Sequence, residues 1–480
     1  MKKEYLITEK PWKALLLFAM PMIIGNLFQQ FYTMVDSVVV GRFVSENALA
    51  AVGASYALTT VFISIAIGGG VGASVITSRY FGARDYRKMM LSIRTALTVF
   101  LVTSIVLGSV GLLLGRQIMI ALNTPFDVLG DATVYLRIYF LGLPFLFMYN
   151  ILSAMFNALG RSQIPLYLLI FSSLFNIVLD VFFVKELAMG VSGVAWATLI
   201  AQGISAVLSF GILVRYLRSF ASGDGEDRER GVCGTAGRRN APAPDGGAGR
   251  VSDGGRLALF DRTECLNMAR VALPSILQQS TISIGMMLVQ SVVNSFGAQV
   301  LAGFSAAMRV ESICIVPMSA MGNVMSSYTA QNIGAGKTDR VKQGYHTGYG
   351  IVAAFAVILC LAVELSYRPL ILLFLGEDAS AAAYQTGVGY LQFIGWFFVF
   401  IGMKMITDGL LRGAGDMVLF TVANMVNLGI RVFASMLFAP HFGVAVVWIV
   451  VPIGWIANYL ISFAEYRTGK WAGVHTDGRT

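Results

Sequence analysis

Long apolar stretches separated by short, basic connections set the pattern of this chain. Twelve of them reach the ~20 residues an α-helix needs to cross a bilayer: 14–40, 48–78, 91–114, 132–157, 164–184, 193–217, 266–295, 302–332, 346–367, 384–411, 417–438 and 443–465. Several exceed that minimum, which predicts tilted spans or helices that continue beyond the lipid. Residues 218–263 break the pattern. They are rich in Gly, Arg, Asp and Ala, with few large apolar side chains, and such a segment cannot offset its ordering entropy. The expected organisation is a six-helix lobe over 1–217, a disordered cytoplasmic linker over 218–263 and a second six-helix lobe over 264–480.

Charged residues make up 13% of the chain, against roughly 25% in a soluble domain. The fold class is therefore an all-α polytopic membrane protein of twelve transmembrane helices. The net charge of +9 does not point to nucleic acid, because the basic residues gather in alternate connections. Lys2, Lys3, Lys10 and Lys13 form one group, followed by Arg79, Arg84, Arg87 and Lys88, the Arg-rich 215–270 stretch, Lys337, Arg340 and Lys342, and Arg467 with Lys470. The positive-inside rule makes this side cytoplasmic and puts both termini there. The first apolar run is too long for a cleaved signal peptide. Cys233, Cys265, Cys314 and Cys360 show no paired spacing and read as reduced thiols without a metal.

The two halves repeat one another. Ala19-Met20-Pro21 matches Ala272-Leu273-Pro274, and 50–54 matches 302–306. The stretch 77–83 matches 329–335, Tyr135-Leu136 matches Tyr390-Leu391, and Gly160 matches Gly415. With an even number of spans in each half, both run in the same sense, so a pseudo-two-fold axis along the membrane normal should relate the lobes. Such parallel repeats recur in secondary transporters.

Asp36 and Asp180 interrupt the first and fifth stretches. A carboxylate at a helix centre costs ~2.5–3.5 kcal/mol on insertion scales, so each marks a functional site. Asp36 lies five or six residues before the outer connection at Gly41-Arg42, Asp180 five before Lys185, and Thr198 about five after Gly193. At ~1.5 Å per residue the three share one depth, with Asn176 one turn below Asp180 on the same face. Together they offer hard oxygen ligands for a cation such as Na+, or a carboxyl pair that can carry a proton. Gln29, Tyr32, Asn150 and Asn157 are candidate cavity residues. In the second half Val289, or Gln290 with the register shifted by one, stands opposite Asp36, and Asn427 and Arg431 stand opposite Asn176 and Asp180, so coupling is expected in the first lobe alone. Lys404, Asp408 and Arg412, spaced by four, read as an ion-paired stripe. Asp408 and Glu311 are the second lobe's candidates for substrate contact.

The Pro21-to-Asp36 pattern, Gly41-Arg42, Ala50-Ala51-Val52-Gly53, the turns Gly82-Ala83-Arg84 and Gly334-Ala335-Gly336, and the run Leu411 to Asp416 resemble the multidrug and toxic compound extrusion (MATE) family. The resemblance covers the chain except 218–263. It implies that Asp36, Asn176, Asp180 and Thr198 form a cation-coupling site, with Na+ as the metal it would hold, and that the first helix bends at Pro21 on protonation. The implied function is secondary antiport: export of organic, mostly cationic and amphipathic compounds in exchange for H+ or Na+. A lipid or lipid-linked oligosaccharide flippase of a related two-lobed fold is the alternative. The chain shows no nucleotide loop, nucleophile–base pair or metal spacing, so neither an enzyme nor a cofactor is expected beyond the coupling ion. The expected partners are small-molecule substrates and the lipid bilayer, with no nucleic acid, for a monomer in the plasma membrane. Because 218–263 reads as a passive linker, deleting 224–256 should leave vesicle dye efflux within about twofold of wild type at equal expression. Loss of efflux would instead assign that segment a docking role.

Overall fold

The computed structural model describes residues 4–43, 46–121, 124–232, 258–376 and 379–473; the side chains of 36–50, 57, 127, 219 and 221–232 lie outside the described residues. The first half contains α1 (Pro11–Phe43), α2 (Glu46–Gly82), α3 (Tyr86–Ala121), α4 (Phe126–Ala158), α5 (Gln163–Val181) and α6 (Gly190–Val232). The second contains α7 (Arg262–Asn294), α8 (Ala298–Gly334), α9 (Thr338–Leu375), α10 (Ala381–Gly395), α11 (Phe398–Ala414), α12 (Val418–Phe442) and α13 (Ala445–Thr468). Single helical turns at Tyr5–Thr8 and Lys470–Gly473 flank them. Among the described residues, 11 helices are long and apolar enough to cross a membrane, or 12 spans when α10 and α11 count as one. No strand occurs among the described residues.

The expected single helix over 384–411 is broken: α10 and α11 meet at a 55° bend. No proline lies there. Gly395 weakens the helix by ~1 kcal/mol relative to Ala, and Phe393, Phe397 and Phe400 stack along the bend with ring centroids 5.0 and 6.3 Å apart. Conversely, α6 continues to Val232, beyond the apolar stretch that ends at 217. Residues 233–257 of the expected linker, with Cys233, lie outside the described residues. Just before α7, Thr98 on α3 donates to the Leu259 carbonyl, and the Asp261 N–H donates to Thr95.

The repeat is visible in the packing. α2 and α3 both pack on α4, as α8 and α9 pack on α10 or α11; α1 packs on α5 as α7 packs on α12; α5 and α6 pair as α12 and α13 do. Between the halves, α2 lies along α7 and, in the mirrored contact, α8 lies along α1. Small residues permit these approaches. A Cβ on Gly68 would meet Ile276 backbone atoms at 2.5 Å, and one on Gly72 would meet the Ala272 nitrogen at 2.5 Å. At one end α2 and α8 cross reciprocally. A Cβ on Gly82 would lie 2.0 Å from the Gln331 carbonyl oxygen, and one on Gly334 2.0 Å from the Arg79 carbonyl oxygen.

Among the described residues, the hydrogen bonds that join the halves gather at this end and seal it. Gln331 donates to the Ala158 carbonyl, Asn332 to Leu6, Arg79 to Ala414 and Tyr80 to Glu264. Arg340 donates to the carbonyls of Leu6 and Glu9. The N-terminal turn is pinned there by Tyr5, whose hydroxyl donates to Gly160. The C-terminal turn inserts Trp471 into the same cluster as Tyr5, Leu6 and Tyr345. Both ends of the described chain thus lie on one face of the bundle.

Gly334→Ala should destabilise the purified protein by ~1–3 kcal/mol, the usual cost of overpacking, read as a lowered thermal midpoint. Gly350→Ala, with open space around its Cα, is the control and should not lower it. Equal midpoints for both variants would mean that the crossing carries no stability.

Candidate functional site

α5 turns Asn176 and Asp180 to its buried face, one helical turn apart. Asp180 has no solvent exposure and Asn176 only 2%. Two orientations of the Asn176 amide describe its contacts, a choice set by the hydrogen-bond network. In the one that satisfies the amide fully, its nitrogen donates to Asp180 Oδ2 (2.9 Å) and to the Tyr32 hydroxyl (2.6 Å), and its oxygen accepts from the Thr198 N–H (3.1 Å). In the other, Tyr32 donates to the amide oxygen at 2.6 Å and the nitrogen reaches Thr198 Oγ1 at 3.4 Å. Either way one amide joins α1, α5 and α6. Asp36 stands four residues beyond Tyr32 on α1, but its side chain lies outside the described residues. The cluster presents oxygen donors of carboxylate, amide, phenol and hydroxyl type, the set that suits a hard cation or a bound proton.

Directly after Asp180 the helix widens into a π-helical turn, Phe182–Glu186. Such turns recur at functional sites, and the hydrophobic pattern gives no sign of this one. Gln202 also lines the chamber beside Thr198. Its spacing of four from Thr198 on α6 was the available signal.

A chamber of about 450 Å3 lies against this cluster, and Gln29, Tyr32, Asn150 and Asn157 all line it. It shares Asn26, Asn150 and Asn157 with a central cavity of about 500 Å3 between the halves. Under the repeat alignment the central cavity is lined by matched pairs: Asn26 with Gln279, Ser74 with Ser326, Ser153 with Asp408, and Asn157 with Arg412. The pseudo-two-fold axis therefore runs through it. Pro21 lies within α1 and lines the N-lobe chamber.

The second half uses its charges differently. Lys404 Nζ donates to Asp408 Oδ2 at 2.9 Å, and Ser462 donates to Asp408 Oδ1 at 2.8 Å. Asp408 borders the central cavity, yet both its oxygens are engaged. Arg412 departs from the expected ion-paired stripe and donates to Asn323 Oδ1 at 2.9 Å instead. Glu311 lines neither chamber; it is buried and accepts a hydrogen bond from Tyr390. Arg431, which stands where α5 has Asp180, is close enough to Glu311 to interact with it electrostatically. Cys265, Cys314 and Cys360 are free thiols.

The family model of MatE matches residues 21–182 and again 274–437, once in each half. The chain belongs to the MATE family. Its similarity to the probable multidrug resistance protein YpnP of Bacillus subtilis (strain 168) is 29% identity, over 96% of each chain. To the probable multidrug resistance protein YoeA of the same organism it is 24%, over 97% of this chain and 96% of that one. Among solved structures, an outward-facing conformation of a multidrug resistance MATE family transporter of the MOP superfamily aligns over 98% of both chains with a TM-score of 0.84 at 22% identity. This MATE protein is therefore a multi-pass membrane protein of an efflux-transporter family, not of an enzyme family, with the expected two-lobed all-α architecture.

At the sealed end of this MATE protein, Asp416 follows α11 and faces Glu465 of α13. Burial, and then the neighbouring Glu465 carboxylate, push the Asp416 carboxyl up to about 6, and Lys470 opposes the shift. A carboxyl raised in the folded state binds more protons folded than unfolded between its ordinary value near 4 and about 6. Stability must then fall as pH rises through that window, and the cost is fully present above it. Asp416→Asn should raise the thermal midpoint at pH 7 and flatten its change between about pH 4 and about 6. A parallel pH profile in both proteins would exclude the pair as its source.

Proposed function

We propose that the protein is a secondary antiporter that exports organic compounds in exchange for H+ or Na+ by alternating access. The observation that carries this reading is Asp180, fully buried and hydrogen-bonded to Asn176, which lines a chamber and links α1 and α6. A cation or proton arriving at Asp180 must change the bonds that Asn176 makes to Tyr32 and Thr198. Those bonds tie together three helices that wall the substrate chamber, so ion binding is coupled to chamber shape. Asp36 is proposed as the second acid of the same site. Pro21, which lacks an N–H and so weakens α1 at that level, is proposed as the place where α1 bends. Cationic amphipathic compounds suit the N-lobe chamber, where Tyr32 and Tyr149 offer aromatic faces near the acid.

Asp408 is proposed to meet substrate only through the wall it forms with Lys404. Coupling is proposed to stay in the first lobe, because the second lobe has Arg431 where the first has Asp180. The sealed end carries Arg84, Lys88, Lys337 and Arg340, which supports a cytoplasmic location for it and for both termini. The protein is proposed to act as a monomer in the plasma membrane.

Efflux of rhodamine 123 from proteoliposomes, driven by a proton gradient alone and then by a sodium gradient alone, identifies the coupling ion. Asp180→Asn should cut gradient-driven efflux at least about tenfold, as expected for loss of a charged ligand, and leave dye binding in place. Undiminished driven efflux by Asp180→Asn would remove this carboxylate from the coupling step.

A further inference from the structure

The floor of the central cavity contains a positive charge with no carboxylate of its own. Arg412 is 91% buried, from an exposure of 9%, and it lines the cavity beside Asn157, Ser326 and Ser327. Its Nη2 donates to Asn323 Oδ1 and, at 3.4 Å, to the Gly322 carbonyl. Both acceptors are neutral. Its Nε is buried and has no hydrogen-bond partner. Among the described residues no carboxylate lies within ion-pair distance of it, although Asp408 one turn away acts on it electrostatically. The nearest, Asp408, is committed to Lys404 and Ser462.

The group Lys404–Asp408–Arg412 therefore carries a surplus of one positive charge, and the member without a direct ion pair is the one at the cavity floor. A buried guanidinium left in this state is costly, and a ligand that supplies the missing charge recovers that cost. The repeat makes the placement specific. Asn157, the matched residue on the N-lobe wall, is a neutral amide with a buried, unpartnered Oδ1, so the two symmetric positions at the floor offer one charge and one amide.

We propose that Arg412 anchors the anionic group of a transported compound, a carboxylate, phosphate or sulfonate, with Ser326, Ser327 and Asn157 supplying the surrounding hydrogen bonds. The planar guanidinium fork suits such oxyanions. This rests on the exporter reading and extends it: the substrates include organic anions and zwitterions, with an amphipathic body in the N-lobe chamber and an acid group at the central floor.

Fluorescence anisotropy on the purified protein in an uncharged detergent tests the site without any ion gradient. The probes are carboxyfluorescein and rhodamine 123, which share a xanthene skeleton and differ in charge. Arg412→Gln should weaken carboxyfluorescein binding by roughly tenfold or more and leave rhodamine 123 within about twofold. Arg412→Lys should recover part of the loss. On wild type alone, benzoate should displace carboxyfluorescein and spare rhodamine 123. Adding dihexanoyl phosphatidylglycerol in a parallel competition distinguishes a free organic acid from a lipid headgroup as the occupant, and displacement by either supports the anion site. Equal weakening of both dyes by Arg412→Gln would reduce Arg412 to a structural tie between α11 and α8. No carboxyfluorescein binding by wild type would overturn the proposal outright. If proteoliposomes show no driven efflux while carboxyfluorescein binding still depends on Arg412, the exporter reading fails and the anion site stands.

Discussion

The crossing of α2 and α8 at Gly82 and Gly334 is the constraint on which the other features depend. Each glycine lets the partner helix bring a backbone carbonyl to a distance that no Cβ would tolerate. Because the two contacts are repeat-related, they place the pseudo-two-fold axis between them. The side chains around the crossing then meet across the halves. Gln331 and Asn332 reach the Ala158 and Leu6 carbonyls, and Arg79 reaches Ala414. The bundle closes at that end, and the matched walls of α4 and α11 enclose a cavity above it. A wider crossing would lose the seal and the cavity floor together, since Asn157 and Arg412 each lie within one turn of a residue in the seal.

A duplicated scaffold can hold unlike chemistry in its halves. Where the first lobe has Asn176 and Asp180, the second has Asn427 and Arg431. The backbone plan is the same: α5 packs on α1 and α6 as α12 packs on α7 and α13. The electrostatics are opposite. In the first lobe a carboxylate accepts a hydrogen bond from a neutral amide. In the second, Asp408 is tethered to Lys404, and Arg431 acts on Glu311 only electrostatically. A tethered ammonium cannot leave its carboxylate, so it supplies rigidity where a mobile ion would supply a switch.

Much of this was legible in the sequence because two periodic signals are strong. Apolar runs of membrane length fix the spans, and the repeat fixes their relation. Depth counting brought Asp36, Asp180 and Thr198 to one level with Asn176 one turn below; the Asn176 amide reaches Asp180 and Thr198, and the Asp36 side chain lies outside the described residues. Local irregularities were not legible. The π-helical turn after Asp180 and the break at Trp396–Phe397 arise where backbone hydrogen bonding departs from the helix without a proline to announce it. Side-chain partnering was also hidden. Lys404, Asp408 and Arg412 share a spacing of four that reads as one ionic stripe, but Ser462 and Asn323 come from helices distant in sequence, and they decide which cation keeps the carboxylate.

That choice of partner has a physical basis. Asp408 has two oxygens and two candidate cations on its own helix. Lys404 lies deeper in the lobe, at 3% exposure, where an unpaired ammonium would be the more costly of the two because it is compact and strongly hydrated in water. Arg412 spreads its charge over a plane and borders the cavity, where Asn323, a main-chain carbonyl and the cavity itself surround it. The lobe therefore gains most by giving its carboxylate to the lysine. The consequence is positional: the surplus charge ends on a side chain that borders the central cavity, beside an acid of the same wall.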